Sequence, residues 1–520
     1  MRPSDDLFRL VKTMTGSEKR YFKIFASMHG RNKKYLLLFD AIDRQERYDE
    51  RALKEEFRDQ KFIRQLGVAK GYLYNLVLKS LRLYRNSSGV GERLRTMQSN
   101  IEVLHERGLA DQALKIVDRA KRIAEHHEAF GTMISLLDWE RALRPQFKES
   151  LEEIERSENL TKRAIEQMQN FVEYSFLLYK VSHVILPDHL RSSDSLESME
   201  SLMQNPLLTG PEQARTRRAE FYFHWVYSVY HYGQNEFVRA LHHTRAMVSL
   251  LEEDEDRLGE QMELYVLSLG NSLTLLRQAD MYDEFWETVA KIRELIDRTG
   301  SAPGLKSRRI SAHLFSTVFL YLSALYISQA SYDKCIELAK ETEPGLENYG
   351  ELVAPSFLNK FNYNVAFAYF ALGKYREAVE YTNRILLEPE PYEGSQTCYS
   401  ARLLRLVLHY ELGNIQLLES LVVSTYRYLI SRESIYELEK TVIEFFRKLP
   451  AMKSNAELTT AFMRLRDRML ELESDPFEQN AFRYFAYVEW LESKILNRPF
   501  QEVYRERRAR LSEEQHVAAQ

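Results

Sequence analysis

Glycine, proline and cysteine are all scarce in this chain, and each shortage excludes a class of structure. The 520 residues include only 19 glycines and 13 prolines, about half the usage of an average globular protein. These two residues supply most turns, and β-rich proteins need many turns. The chain is instead rich in leucine, glutamate, arginine and alanine, which favour helices. The composition therefore predicts an all-α protein.

Only two cysteines occur, Cys335 and Cys398. Their number and their wide separation exclude a disulfide framework and a CxxC metal site, and they fit a reducing compartment. The amino terminus becomes acidic at Asp5 and lacks the apolar stretch of a signal peptide. The longest uncharged segment, residues 313–332, contains several serines, which favours a buried helix over a membrane span. We therefore expect a cytoplasmic protein without membrane insertion.

Residue patterns typical of catalysis or metal binding are also missing. His126 and His127 are adjacent, as are His242 and His243, and adjacent side chains on a helix point about 100° apart, so neither pair is able to face one ion. The glycines in residues 89–91 lack the lysine and the preceding strand of a phosphate-binding loop. The sequence therefore predicts a protein that is not an enzyme and has no cofactor.

Charge is distributed unevenly along the chain. Residues 1–95 carry 22 lysines and arginines against 12 acidic residues, a formal charge of +10, while the rest of the chain carries −14. This asymmetry indicates either a surface that binds an acidic partner or nucleic acid, or simply a solvated basic face. We predict a basic N-terminal helical domain over residues 1–88, a helical array over 89–500, and a helix end with a frayed tail over 501–520.

Residues 362–391, NYNVAFAYFALGKYREAVEYTNRILLEPEP, have the pattern of a repeated helical hairpin. Ala366 and Ala378 are small residues at positions where two helices cross closely, and Tyr369 lies near the end of the first helix. Gly373 supplies the turn, Tyr375 begins the second helix, and proline ends the unit. On these residues the segment resembles a tetratricopeptide repeat, a unit of about 34 residues.

Weaker copies of the pattern flank this segment. The residues that mark the start of each second helix are Tyr282, Tyr332, Tyr375 and Ile415, spaced by 50, 43 and 40 residues. These spacings exceed the standard repeat, so the copies are degenerate. The resemblance implies a right-handed α-solenoid of tetratricopeptide-like hairpins, whose apolar faces are buried by stacking. Residues 7–84 and 490–494 also resemble an uncharacterised bacterial protein group of similar length, which implies no function.

The resemblance also implies a concave groove that receives an extended peptide or a helix of a partner protein. The family's ligand-facing positions correspond here to Lys360, Asn364, Phe367, Tyr321, Asn271 and Gln278. Lys360 and Asn364 are one helical turn apart and so are suited to hold a carboxylate together. The alternative is that these residues only line a solvated groove.

A second candidate site lies in residues 62–78, FIRQLGVAKGYLYNLVL. Here Gly67 and the apolar-patterned helix after it resemble the turn and recognition helix of a helix-turn-helix DNA-binding unit. The residues that would face DNA are Lys70, Tyr72, Asn75 and Lys79. Ile63 departs from the pattern, because a small residue is usual at that position. The alternative is a helical domain that caps the array.

Two functions are therefore open from the sequence. The first is a non-catalytic scaffold or adaptor that binds a peptide or helix of another protein in the groove. The second is a DNA-binding transcriptional regulator with an N-terminal helix-turn-helix and a repeat array as its sensor. The sequence favours the first, because the repeats are present and catalytic motifs are absent, but it does not name a partner.

Overall fold

The structure is a computed structural model that describes residues 5–28, 33–84, 89–144, 150–185, 193–300, 305–386, 396–431, 436–452, 454–475, 478, 482 and 484–518. Within these ranges the regular structure consists of 25 α-helices and short 3-10 turns, without a strand. The predicted all-α class is therefore confirmed. The chain divides into two compact units, Met1–Ala164 and Ile165–Gln520, and the division falls within the long helix Leu151–Ile185.

The first unit is a series of short to medium helices with two apolar cores. The helices are α1 (Asp6–Thr13), α2 (Gly16–Met28), α3 (Lys33–Arg44), α4 (Glu50–Glu56), α5 (Leu66–Tyr84), α6 (Val90–Glu106), α7 (Ala110–His126), α8 (Phe130–Leu143) and the beginning of α9 (Leu151–Ile185). One core is built from residues 7–77 and the other from residues 94–143. The predicted domain boundary at residue 88 lies between these two cores, outside the described residues, and stays a prediction.

Helix starts in the first unit are fixed by side chains that pair with free backbone N–H groups. Asp49 precedes α4, and its carboxylate accepts hydrogen bonds from the backbone N–H groups of Arg51 at 2.8 Å and Ala52 at 3.1 Å. Before α2, the backbone N–H of Thr15 donates to Glu18 at 2.8 Å, and the N–H of Glu18 donates to the Thr15 hydroxyl at 3.2 Å. These bonds satisfy donors that have no partner within a helix.

The second unit continues with longer helices. They are the end of α9, then α10 (Ser193–Met203), α11 (Arg217–Gly233), α12 (Phe237–Glu252), α13 (Glu255–Glu260), α14 (Met262–Gln278), α15 (Tyr282–Gly300), α16 (Leu305–Ser328), α17 (Tyr332–Tyr349), α18 (Pro355–Ala371), α19 (Tyr375–Leu386), α20 (Gln396–Glu411), α21 (Ile415–Ser431), α22 (Glu437–Lys448), α23 (Asn455–Glu473), α24 (Tyr487–Leu496) and α25 (Phe500–Ala518). A core that extends from Phe221 to Tyr504 joins most of them. The segment in which we expected a frayed tail is helical through Ala518.

The repeat pattern read from the sequence matches the helix boundaries. The predicted markers are each the first residue of a second helix: Tyr282 of α15, Tyr332 of α17, Tyr375 of α19 and Ile415 of α21. The predicted turn glycine Gly373 has a φ angle of +72°, and Gly413 has one of +71°. Glycine adopts this left-handed conformation without steric cost, which ends the first helix of each pair. The helical-repeat character of the chain is therefore confirmed.

Neighbouring helices of this region pack as hairpins, and the hairpins pack on one another. The first helices α14, α16, α18 and α20 also lie side by side in chain order. Ala366 in α18 and Ala378 in α19 are completely buried, as expected for small residues at a close helix crossing. The right-handed solenoid implied by the resemblance stays a prediction.

Among the described residues, one stretch is long and apolar enough to cross a membrane by length and composition. It is Arg308–Ser328 within α16, and 61% of its most apolar window is buried inside the protein. The sequence predicted a buried helix in this region. The burial is compatible with a core helix of a soluble protein.

Candidate functional site

The predicted groove residues lie on three neighbouring first helices. Asn271 and Gln278 belong to α14, Tyr321 belongs to α16, and Lys360, Asn364 and Phe367 belong to α18. Four of these six residues, all except Asn271 and Gln278, line a pocket of about 1000 Å³. The pocket lies entirely within the second unit. The structure thus brings α16 and α18 to one site, and α14 contributes different residues from those predicted.

The opposite wall of the pocket comes from the chain's own C-terminal segment, which we define as residues 484–509. Phe367 is only 5% exposed, because aromatic rings of this segment cover it. Its ring centroid lies 5.9 Å from that of Phe485, 5.9 Å from that of Phe500 and 6.5 Å from that of Tyr504. We expected Phe367 to face an open groove. In the structure it belongs to the core and is not accessible to a partner.

Hydrogen bonds also join the C-terminal segment to the first helices. The Tyr363 hydroxyl donates to the backbone carbonyl of Tyr484 at 3.0 Å, and the Arg505 guanidinium donates to the carbonyl of Ala330 at 3.2 Å. Part of the face that the resemblance assigned to a partner is therefore occupied by residues of the same chain. The pocket is the part that remains open between the two walls.

Lys360 and Asn364, which we expected to act together, have different surroundings. The Asn364 side-chain amide donates to the Ser323 hydroxyl at 2.9 Å, so it joins α18 to α16. Lys360 is exposed at the pocket. Among the described residues its ammonium has no ion pair, and desolvation by the surrounding protein lowers the pKa of Lys360 below its usual range. Of the two, only Lys360 presents an unpaired polar group to a ligand.

Arg277 is the residue that the sequence analysis missed. It lies in α14 one position before the predicted Gln278 and lines the pocket. Its Nε atom is buried without a hydrogen-bond partner. Burial lowers the pKa of the Arg277 guanidinium, and the positive charge of Arg508 in α25 lowers it further. Arg277 is the single basic residue of α14, and this was the only signal in the sequence that pointed to it.

The acidic residues of the pocket are already engaged. Glu473 and Glu489 both pair with Arg507, which lies 3.6 Å from the Glu489 carboxylate. Burial raises the pKa of Glu489, although the Arg507 charge opposes this effect. Asp280 accepts a hydrogen bond from the Tyr282 hydroxyl at 2.5 Å. No ion pair joins any of these three carboxylates to Arg277 or Lys360 within the part of the chain that the structure describes.

The residues predicted to contact DNA lie on α5 and do not form one exposed surface. The Lys70 ammonium is half-buried and lies 2.9 Å from the Glu50 carboxylate and 2.8 Å from the Tyr48 hydroxyl. This pairing, led by the hydrogen bond from Lys70, lowers the pKa of Glu50 to about 2. Lys70 is thus committed to the contact between α5 and the start of α4.

The other three predicted DNA-contacting residues are exposed on α5. They are Tyr72, Asn75 and Lys79, and the Tyr72 ring stacks on that of Tyr35 with centroids 4.4 Å apart. We expected Gly67 to form the turn, but α5 begins at Leu66, so Gly67 lies in its first turn. The connection from α4 spans residues 57–65, whereas a helix-turn-helix has a turn of three or four residues.

The histidine pairs considered for metal binding have local partners. His243 in α12 stacks on the Tyr227 ring, with centroids 5.0 Å apart, and its Nδ1 lies 3.0 Å from the Nδ1 of His224. Burial lowers the pKa of both His224 and His243 to about 4. Among the described residues no group of three or more histidine, cysteine or acidic side chains is arranged to hold a metal ion.

Comparisons with protein families and with characterised proteins identify no relative of this chain. No protein-family model matches the chain, and no characterised protein sequence matches it significantly. The likeness to tetratricopeptide repeats therefore rests on the residues and the helix boundaries given above.

Proposed function

We propose that this chain is a non-catalytic, cytoplasmic adaptor that binds an extended or helical segment of another protein in the pocket between the first helices and the C-terminal segment. The observation that carries the proposal is the solvent-exposed, unpaired Lys360 at a pocket of about 1000 Å³. A volume of this size is at the upper end of those found for ligand sites. It accommodates several side chains of a peptide.

The composition of the pocket lining supports a binding role. Partly exposed apolar side chains such as Ala324 and Ile327 lie beside polar ones such as Ser328 and Lys360. Apolar walls supply most of the binding free energy, and a few polar groups fix the orientation of the ligand. Stacked hairpins hold these side chains on rigid helices, so little conformational entropy is lost when a ligand binds.

The experiment that tests this proposal is quantitative capture of protein partners by the tagged full-length chain from native extract, followed by mass spectrometry. Lys360→Ala is the test variant. Lys448→Ala is the matched control, because Lys448 is an exposed lysine of the same unit that lies outside the pocket. We expect stoichiometric partners whose recovery falls in Lys360→Ala and not in the control. Equal recovery by both variants would remove the pocket from the proposal.

DNA binding through the first unit is the second candidate function. It is favoured by the formal charge of +10 over residues 1–95 and by the exposed side chains of Asn75 and Lys79 on one face of α5. The test is duplex DNA binding at several salt concentrations, since neutralised phosphates make affinity fall steeply with salt. Binding that is lost in Lys79→Glu supports this candidate, and binding that survives the charge reversal argues against α5 as the contact. Lys70 is unsuitable for this test because its loss would leave Glu50 without its main partner.

Nuclease treatment of the extract separates the two candidates. Partners that resist the nuclease support the adaptor function. Partners that disappear together with co-purifying nucleic acid support the second candidate.

A further inference from the structure

A row of three basic side chains lies along one face of α20. Arg402, Arg405 and His409 follow one another at spacings of three and four residues, which places them on the same side of a helix. Both arginines are half-buried, and His409 is only 6% exposed. None of the three is among the residues that line the pocket described above. The row is therefore a separate feature of the second unit.

Each side chain of the row contains a buried nitrogen that makes no hydrogen bond within the described residues. These nitrogens are Nε of Arg402, Nε of Arg405 and Nε2 of His409. The side-chain amide nitrogen of Asn414 lies 3.2 Å from the Nδ1 atom of His409. Because an amide nitrogen only donates, Nδ1 accepts, and the proton of the neutral ring is on Nε2. All three unpaired atoms are therefore N–H donors.

No carboxylate compensates these groups in the part of the chain that the structure describes. The pKa of Arg405 is lowered by burial and lowered further by the positive charge of Arg402. Burial likewise lowers the pKa of His409, and the charge of Arg405 adds to this effect. A nearby carboxylate would raise both pKa values. Buried donors without acceptors cost stability, so the row is suited to a ligand that supplies acceptors.

A contact with α21 orders one end of the row. The guanidinium group of Arg402 lies over the ring of Tyr428, 3.7 Å from the ring centroid. Stacking on an aromatic face restricts the arginine side chain and leaves the edge of the guanidinium plane available to acceptors. A group that is already ordered loses less conformational entropy when a ligand binds.

We propose that this row binds an extended acidic segment of a partner protein, whose carboxylates accept hydrogen bonds from Arg402, Arg405 and His409. Seven residues of α-helix rise about 10.5 Å, which is longer than one oxyanion. Side chains on the same face of an extended peptide are about 7 Å apart, so two alternate acidic residues match the length of the row. Arginine forms short, charge-assisted hydrogen bonds with carboxylates. Because the row lies outside the pocket, this interaction goes beyond the function proposed above.

The test is fluorescence anisotropy of the full-length protein with a labelled eight-residue peptide of alternating glutamate and serine, at fixed ionic strength. The comparison peptide has glutamine in place of each glutamate. We expect saturable binding of the glutamate peptide only. Arg402→Gln and Arg405→Gln each weaken this binding about tenfold, the effect of losing one charge-assisted hydrogen bond. Arg464→Gln is the matched control and leaves the affinity unchanged, because Arg464 is an exposed arginine of α23 in the same unit.

Three results overturn the inference. The first is the absence of saturable binding of the glutamate peptide, or equal affinity for the two peptides. The second is an affinity that does not fall in Arg405→Gln, or that falls as much in Arg464→Gln, since the row is then not the contact. The third is tighter binding of a single-stranded oligonucleotide with the same dependence on Arg405, which would assign the row to nucleic acid.

The test does not depend on one variant. Arg405 has no ion pair among the described residues, so Arg405→Gln leaves no carboxylate unpaired and is expected to fold, which circular dichroism checks. A thermal melt of the wild-type protein needs no variant at all. The glutamate peptide should raise the Tm because it binds the folded chain, and the glutamine peptide should not. A Tm that is unchanged by a saturating concentration of the glutamate peptide contradicts the inference.

Discussion

Phe367→Ala is expected to loosen the C-terminal segment from the first helices. A buried phenylalanine replaced by alanine costs about 3–5 kcal/mol of folding free energy, because apolar surface and packing are lost and a cavity remains. Three of the five aromatic rings recorded around Phe367 belong to the C-terminal segment, namely Phe485, Phe500 and Tyr504. We therefore assign about 2 kcal/mol of the loss to the docking of this segment, equivalent to a roughly 30-fold larger population of the undocked state.

Limited trypsin digestion measures that population, since Arg498 and Arg505 lie within the segment. When opening and closing are fast, the cleavage rate follows the population of the open state. The control is Phe176→Ala, because Phe176 is 59% exposed in the same unit and its loss is expected to change stability by less than about 0.5 kcal/mol. If Phe367→Ala and Phe176→Ala release C-terminal fragments at the same rate, the packing described here is incorrect.

Two further predictions concern pH and backbone packing. The pKa of about 4 at His224 and His243 lies below the ordinary value of 6.5, so the unfolded chain binds protons that the folded chain does not. Stability is then complete above pH 6.5 and falls by about 3 kcal/mol for each of the two histidines as the pH drops to 4. Urea unfolding at several pH values should show a smaller fall for His243→Phe, and an unchanged fall would contradict the buried pair. Gly345→Ala places a methyl group 2.3 Å from the Phe315 ring. It should lower stability by about 1–3 kcal/mol, and a thermal midpoint equal to that of the wild type would show that the ring moves freely.

Features that depend on nearby residues could be predicted from the sequence. The helix class follows from the scarcity of glycine and proline. Gly373 and Tyr375 mark the turn and the start of the second helix correctly, because a left-handed residue and the helix after it are determined within a few positions. The same holds for Ala366 and Ala378, whose small size is required by the helix crossing they form.

The candidate site could be predicted only in part. Lys360, Asn364 and Tyr321 do line one pocket with Phe367, because residues spaced by a helical turn share a face. Arg277 was not predicted, since an arginine at a helix end is usually solvated. The pairing of Lys70 in the first unit could not be predicted either, because its partner Glu50 lies 20 positions earlier in the chain.

The sequence by itself determined the helices, the hairpin turns and the repeat spacing, because these depend on contacts within a few residues. The tertiary structure alone decided which face remains open. Tyr363 meets Tyr484 across 121 positions, and Ala330 meets Arg505 across 175. Contacts so distant in the chain have no periodic signature in the sequence, since they form only after the helices have packed. They bring the C-terminal segment over Phe367 and leave the pocket beside it open.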